Sequence, residues 1–402
     1  MYVLFTVLPG HGHFFPTLPL ARALAAAGHR VRFASSASYG ATIREHGFEA
    51  VPVGLDYTLE GLRGDLDDPG AIAARLMAKM FGEGPPVVLG TLTRELARER
   101  PDVVLVDTED HGAQVAAEQA GVPSGSVVNG IRAFSLLGRL PFDPDERDRA
   151  FDRGYPGIMR RLRAAAGVPD PGLLEFELPH DRTLNLCLAP PSLEAWPLEW
   201  SSPTAHPLRP EVPSTGDPEP WLEELPRDRP IVAVTFGTLF GTTGLYGAAV
   251  RAALGAGARV IATTGRPLDV ASSCLIAVPW ANLDRLMQVS DAVIHHGGWG
   301  PTIAAIIGGT PAVVVPVAAD QPAQGARLRS VGAAAVVRPG PDVAADIEAA
   351  LTRVLADPGF RQNTLRLRDE VAAMPAAPAV VPLVEELAAT GGPVLNRGRQ
   401  PR

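Results

Sequence analysis

Residues 291–321 read DAVIHHGGWGPTIAAIIGGTPAVVVPVAADQ. Asp291–His295 is an apolar, β-branched run, as expected for the end of a buried strand. Gly297, Gly298 and Gly300 follow at once. A helical run then spans Thr302 to Ile307, with Pro301 suited to its first position, where a missing N–H costs nothing. A second apolar strand, Ala312 to Pro316, comes next. Strand, glycine-rich turn, helix and strand make a unit whose helix N-terminus is a ready anion site. His296 can donate a charge-assisted bond to a phosphate oxygen, and the glycines let the backbone come close.

Gly-rich turns after strands are common, and most bind nothing, so the neighbours carry the reading. Upstream lies a tryptophan-bearing turn, VPWANL at 278–283, and downstream the acid–amide pair Asp320–Gln321. Together these resemble the donor-binding signature of the GT-B glycosyltransferases, in the natural-product and antibiotic branch that uses nucleotide-activated sugars. The resemblance implies an α/β fold of two Rossmann-like domains facing across a cleft. It implies that Trp280 lies under the base and that His296 binds the diphosphate with Gly297, Gly298, Gly300, Pro301 and Thr302. Asp320 and Gln321 would hold the sugar hydroxyls.

The chain has 402 residues, so two domains of about 200 residues each are expected. Apolar residues make up 46%, enough for large cores, and a net charge of −8 argues against nucleic-acid or anionic-membrane partners. The longest apolar runs, such as 311–319, fall far short of the ~20 residues of a membrane span. The start, MYVLFTVLPGHGH, lacks a positive leader and reads as a first strand. Two cysteines, Cys187 and Cys274, form no CxxC pair and suit buried thiols in a reducing cytoplasm.

From the start, apolar strands alternate with helix-spaced segments: Val3–Leu8, Val31–Ala34, Glu49–Val53, Val103–Asp107 and Gly125–Val128 are the strands. Residues 1–205 make the N-terminal acceptor-binding domain. Residues 205–220 carry five prolines, and 206–229 reads as a linker. Residues 230–376 form the nucleotide-sugar domain, with strands at 231–236, 259–263, 275–278, 292–295, 312–316 and 334–337. The remainder, 377–402, gives a striped helix that in the family crosses back to the first domain, then a disordered tail. Two segments break the alternation. One holds Met77, Met80 and Phe81, the other Phe134, Leu137 and Phe142; each reads equally as local core or as an apolar wall for an acceptor.

His13 ends the first βα turn, PGHGH. In the family the second histidine of such a turn is the general base, and histidine has a near-neutral pKa suited to taking a hydroxyl proton. A structural, helix-capping histidine is the plainer reading. A His11-x-His13 metal pair lacks a third ligand at useful spacing. A carboxylate on the other ring nitrogen assists such a base, and Asp107, at the end of its strand, is favoured over Glu109 and Asp110, any of which can cap the next helix. Thr238, in TFGT, meets the diphosphate in the family or caps its helix. These partners read as sufficient for the leaving group without metal or other cofactor.

Three positions depart from the family pattern: Pro301 replaces a Thr or Ser that bonds the α-phosphate, Gln324 replaces an asparagine, and Asn282 replaces a proline. The resemblance implies an inverting transfer from an NDP-sugar to an apolar aglycone. The bacterial-type HHGG turn resembles members that use dTDP-deoxysugars, with UDP-sugars open. A silent paralogue acting as a helper subunit, an NAD(P)-dependent oxidoreductase and a sugar-nucleotide epimerase are the other readings. The oxidoreductase would need GxGxxG, and residues 10–15 put Phe15 at the third glycine. Oligomeric state, a homodimer included, is open.

Overall fold

The computed structural model describes residues 1–64, 68–130, 155–169, 183–193, 203–212, 219–237, 244–264 and 268–397. Two parallel sheets organise them. The first holds β1 (Tyr2–Thr6), β2 (Arg30–Ser35), β3 (Glu49–Pro52), β4 (Val103–Asp107), β5 (Ser124–Val128), β6 (Asn185–Cys187) and β7 (Ala205–Pro207), in the order β3-β2-β1-β4-β5-β6-β7. The second holds β8 (Ile231–Thr235), β9 (Arg259–Thr263), β10 (Leu275–Val278), β11 (Ala292–His295), β12 (Ala312–Val314) and β13 (Ala334–Val336), in the order β10-β9-β8-β11-β12-β13.

Helices cover both faces of a parallel sheet, so its central strands must be apolar on both faces. Val103–Val106 and Ile231–Val234 are accordingly fully buried. In each sheet the strand order reverses once, between β1 and β4 and between β8 and β11, which are hydrogen-bonded neighbours. The connections leaving the carboxyl ends of such a pair diverge, and ligands bind in the crevice between them. His13 and Asp107 lie where β1 and β4 end and His296 follows β11, while Asp320 and Gln321 come after the neighbouring β12 and Trp280 after the edge strand β10.

Strands β6 and β7 escape sequence reading because polar residues interrupt them, Asn185 in the one and His206 in the other, so neither leaves an apolar run. Strand β7 also begins within the proline-rich segment, so residues 206 and 207 belong to the first sheet rather than to a linker. Prolines are tolerated there because β7 is an edge strand. The 220–225 segment in turn buries Leu222 and Leu225 in the second half's core.

The helix Val380–Thr390 buries Val380, Val384 and Leu387 against Leu18, Leu20, Ala21 and Leu24 of the first half. Each such aliphatic side chain contributes roughly 1.5–3 kcal/mol. The solvent-exposed Arg397–Glu386 pair, 4.0 Å apart, is screened and adds little, so the apolar stripe decides where this helix docks. The tail is not disordered as far as residue 397. Val394 is buried and its N–H donates to the Thr183 carbonyl at 2.8 Å, while its own carbonyl meets His206 Nε2 at 3.0 Å. Asn396 bonds the carbonyls of Pro203 and Ala205, each at 2.8 Å. Composition hid this because one valine and a few backbone bonds make the attachment.

Candidate active site

At the end of β1 the chain turns at Gly10, where an added Cβ would lie 2.7 Å from Leu59 Cδ1. A short helix, His11–Phe14, follows and presents His13 beside the end of β4. His13 Nδ1 lies 2.8 Å from Asp107 Oδ2. Asp107 is itself fixed, its Oδ1 accepting the Glu109 N–H at 3.1 Å and its Oδ2 the Leu8 N–H at 3.4 Å. The Asn129 side chain donates to the His13 carbonyl at 3.2 Å.

The three acids of this turn have separate jobs. Asp107 orients the histidine. Asp110 caps the helix His111–Gln119, accepting from Ala113 N–H at 3.2 Å. Glu109 stands on the far side of the ring, its Oε2 4.0 Å from Nε2. Burial favours a neutral His13, but the charge of Asp107, the bond to it, and the charges of Glu109 and Asp320 outweigh burial and push the ring up to about 9. The near-neutral base expected from sequence is therefore corrected: carboxylates surround it. Burial pushes Glu109 up to about 8 and Asp110 up to about 7.

His11 has a different partner, Glu60, at 3.1 Å, and its ring lies 6.5 Å from that of Trp280 in the second half. The two histidines of PGHGH thus serve different acids. Among the described residues no group of three or more His, Cys, Asp and Glu side chains is arranged to hold a metal.

In the second half, β11 delivers two histidines with opposite fates. His295 is fully buried, and its Nδ1 accepts the Gly297 N–H at 3.0 Å, fixing the left-handed turn at Gly297 (φ 90°). That acceptor role needs an unprotonated nitrogen, and burial beside His296 holds His295 down at about 3. His296 packs against Gly237 and Gly298: an added Cβ would lie 3.1 Å from its ring at Gly237 and 2.4 Å at Gly298. Gly300, by contrast, is open. Burial pushes His296 down to about 4, against a bond to the Thr235 backbone, so the free protein holds a neutral ring there and not a charged donor.

The helix begins earlier than expected, spanning Trp299–Gly308 with Gly298 as N-cap, which puts Pro301 third instead of first. A proline is still harmless there, because the first turn has no intrahelical acceptors to lose. Thr302 is fully buried, and its Oγ1 has no partner among the described residues. Asn282, unlike the proline it replaces, caps the helix Leu283–Val289, accepting from Asp284 N–H at 3.1 Å. Trp280 on the preceding turn is 47% exposed.

Gln321 Oε1 accepts the N–H groups of Val317 and Ala318 at 2.8 and 3.0 Å. Its carbonyl is thus spent on its own loop. Asp320 follows Ala319, which takes the left-handed conformation (φ 55°), and its carboxylate accepts from Gln324 Nε2. Gln324, which sequence named only as a departure, thus holds Asp320; its spacing of four from Asp320 on one helix face was the available signal. Met80 is core, while Met77 and Phe81 are partly buried against the cluster holding Leu8 and Leu59. Thr238, Phe134, Leu137 and Phe142 lie outside the described residues.

Comparison with known proteins bears on the family and the fold. Residues 262–387 match the family model "Erythromycin biosynthesis protein CIII-like, C-terminal domain". L-demethylnoviosyl transferase of Streptomyces niveus is 30% identical, over 95% of this chain and 96% of its own. The chain belongs to the natural-product glycosyltransferases of the GT-B fold. Among solved members, spinosyn forosaminyltransferase SpnP superposes on this glycosyltransferase with TM-score 0.72 at 26% identity, covering 97% of this chain and 99% of its own. VinC, solved in complex with dTDP, gives 0.71 at 25% identity, covering 97% and 100%. Among the described residues of this glycosyltransferase no single helix is long and apolar enough to cross a membrane.

Proposed function

We propose that this glycosyltransferase moves a deoxysugar from a dTDP-sugar to a hydroxyl of an apolar secondary-metabolite aglycone, with inversion and without a metal ion. The observation that carries the reading is the His13–Asp107 pair, 2.8 Å apart at the carboxyl ends of adjacent strands and within the field of Asp320 from the other half. The acceptor O–H gives its proton to His13 Nε2 as its oxygen attacks the sugar C1. The bond from C1 to the diphosphate breaks on the opposite face, so configuration inverts. Asp107 stabilises the imidazolium that forms.

The departing negative charge meets the N-terminus of helix Trp299–Gly308 and the His296 ring, which supply positive potential without a cation. A diphosphate beside His296 favours its protonation. Trp280, half exposed, offers its face to the base, and Asp320 with Gln321 meets the sugar. The partly buried Met77 and Phe81 support an apolar acceptor. Retention of the whole His13–Asp107 pair favours catalysis over a silent helper role.

The test is transfer from dTDP-6-deoxyglucose to a panel of apolar polyphenols in the presence of EDTA, with the anomeric coupling of the product read by NMR. An inverted glycoside supports the reading. Failure to bind dTDP, a requirement for divalent metal, or a retained anomer would overturn it.

A further inference from the structure

The turn PGHGH carries two imidazoles, and the proposed proton transfer uses only the second. His11 is held in place as His13 is. Its Nδ1 lies 3.1 Å from Glu60 Oε1, and the same oxygen accepts the His11 backbone N–H at 3.3 Å. The ring packs on Phe15, with 4.8 Å between centroids, and stands edge-on to Tyr39 at 6.0 Å. The side chain nevertheless stays 34% exposed. Its third aromatic neighbour, at 6.5 Å and 63° between planes, is Trp280 of the second half.

The plainer role for His11 and Glu60 is to tie the helix Leu59–Arg63 to the turn. That tie exists without the imidazole. Leu59 donates its N–H to the Pro9 carbonyl at 2.7 Å, and its side chain lies so close to Gly10 that an added Cβ there would come within 2.7 Å. Glu60 also reaches the backbone of the turn directly. An ion pair as open as this one adds little to stability. The fixed direction of the ring therefore needs another reason, and Trp280 supplies one. Trp280 is 47% exposed, an indole left open beside the cleft, and a flat apolar surface of that kind takes a planar ring. Alone it is a floor without a wall. Its separation from His11 falls at the loose end of the range for edge-to-face pairs, so the two rings stand near each other without closing on each other.

Resting on the proposed function, we infer that His11 is a nucleotide-positioning residue. Its imidazole walls the pyrimidine laid on Trp280, so the first half grips the donor as well as the second. Glu60 sets the direction of the ring. His13 sits on the same four-residue helix, so a pyrimidine seated against His11 also steadies the turn that carries the proton acceptor.

The experiment is calorimetric titration with dTDP of the full chain and of His11→Ala, His11→Phe, Trp280→Ala and the double variant His11→Ala/Trp280→Ala. His11→Ala should bind dTDP about tenfold more weakly, the upper scale of one aromatic contact. His11→Phe keeps a planar ring without the Glu60 contact and should bind close to the parent. Inorganic pyrophosphate, which has no pyrimidine, should compete equally well in the parent and in His11→Ala. The double variant should bind little worse than Trp280→Ala, because both rings act on one pyrimidine. Unchanged dTDP affinity in His11→Ala, or additive losses in the double variant, overturns the inference and leaves the proposed function standing. Equal loss in His11→Ala and His11→Phe, with pyrophosphate weakened alongside, marks a merely structural histidine and overturns it too. Failure of the parent to bind dTDP overturns both.

Discussion

His13 Nδ1 lies 2.8 Å from Asp107 Oδ2, and with the Leu8 N–H bond to the same oxygen this contact joins the turn after β1 to the end of β4, its neighbour in the sheet. The ring is thereby held with Nε2 free for a substrate proton. Removing the base by His13→Ala should lower kcat by about 10²–10⁴-fold, and dTDP affinity should stay within about twofold of wild type, the ring being on the acceptor side. Stopped assays and calorimetry on the same preparation check this. Loss of dTDP binding would assign His13 to the donor site.

Because carboxylates push His13 up to about 9, most of it is protonated at neutral pH and unable to act as a base. The log of kcat/KM should therefore rise with pH and level off near 9, since that profile reports the free enzyme. In Asp107→Asn the inflection should move to lower pH, because burial then acts against less opposing charge. The stability linkage has a definite sign. A histidine raised in the folded state stabilises fully below its unfolded pKa of about 6.5 and loses that contribution as pH rises through about 9. The melting-temperature gap between wild type and Asp107→Asn should be widest near pH 6 and narrow toward pH 9.5. A gap that widens with pH would contradict the assignment.

The sheet strands were legible because parallel strands covered on both faces leave continuous apolar runs, and 103–107, 259–263, 275–278 and 292–295 fall at the expected residues. Strands β6 and β7 were not, since Asn185 and His206 break the apolar run that made β12 and β13, equally short, visible. The acids at 107, 109 and 110 were visible but interchangeable in sequence; only the geometry gives one to the histidine, one to a helix cap and one to the open ring face. The doublet His295–His296 was legible as a motif, yet only the geometry separates a residue whose Nδ1 braces the Gly297 turn from one packed against Gly237 and Gly298. That the free protein holds His296 neutral was not legible, because sequence does not report desolvation.

Glycines 298 and 300 look equivalent in GGWG, and the structure separates them. A Cβ at 298 would come 2.4 Å from His296 Nε2, while one at 300 meets nothing. Gly298→Ala should displace the imidazole and weaken dTDP binding at least about tenfold, the cost of one bond to a charged group. Gly300→Ala sits inside the helix and should bind dTDP normally, with stability raised by roughly 0.5–1 kcal/mol. Calorimetry and thermal melts of the pair decide it. Equal affinities would mean that His296 does not touch the diphosphate.

The carboxyl-terminal segment offers a matched pair one residue apart. Val394 is fully buried in the first half's core, and Leu395 is 52% exposed. Val394→Ala removes about two buried carbon groups and should cost roughly 2 kcal/mol, whereas Leu395→Ala should stay within about 0.5 kcal/mol of wild type. The backbone bonds of Val394 to Thr183 and His206 persist in both variants, so the difference isolates side-chain burial. Denaturant unfolding followed by tryptophan fluorescence measures it. If both changes are silent, the segment is dispensable for the first half, and the striped helix before it carries the whole attachment.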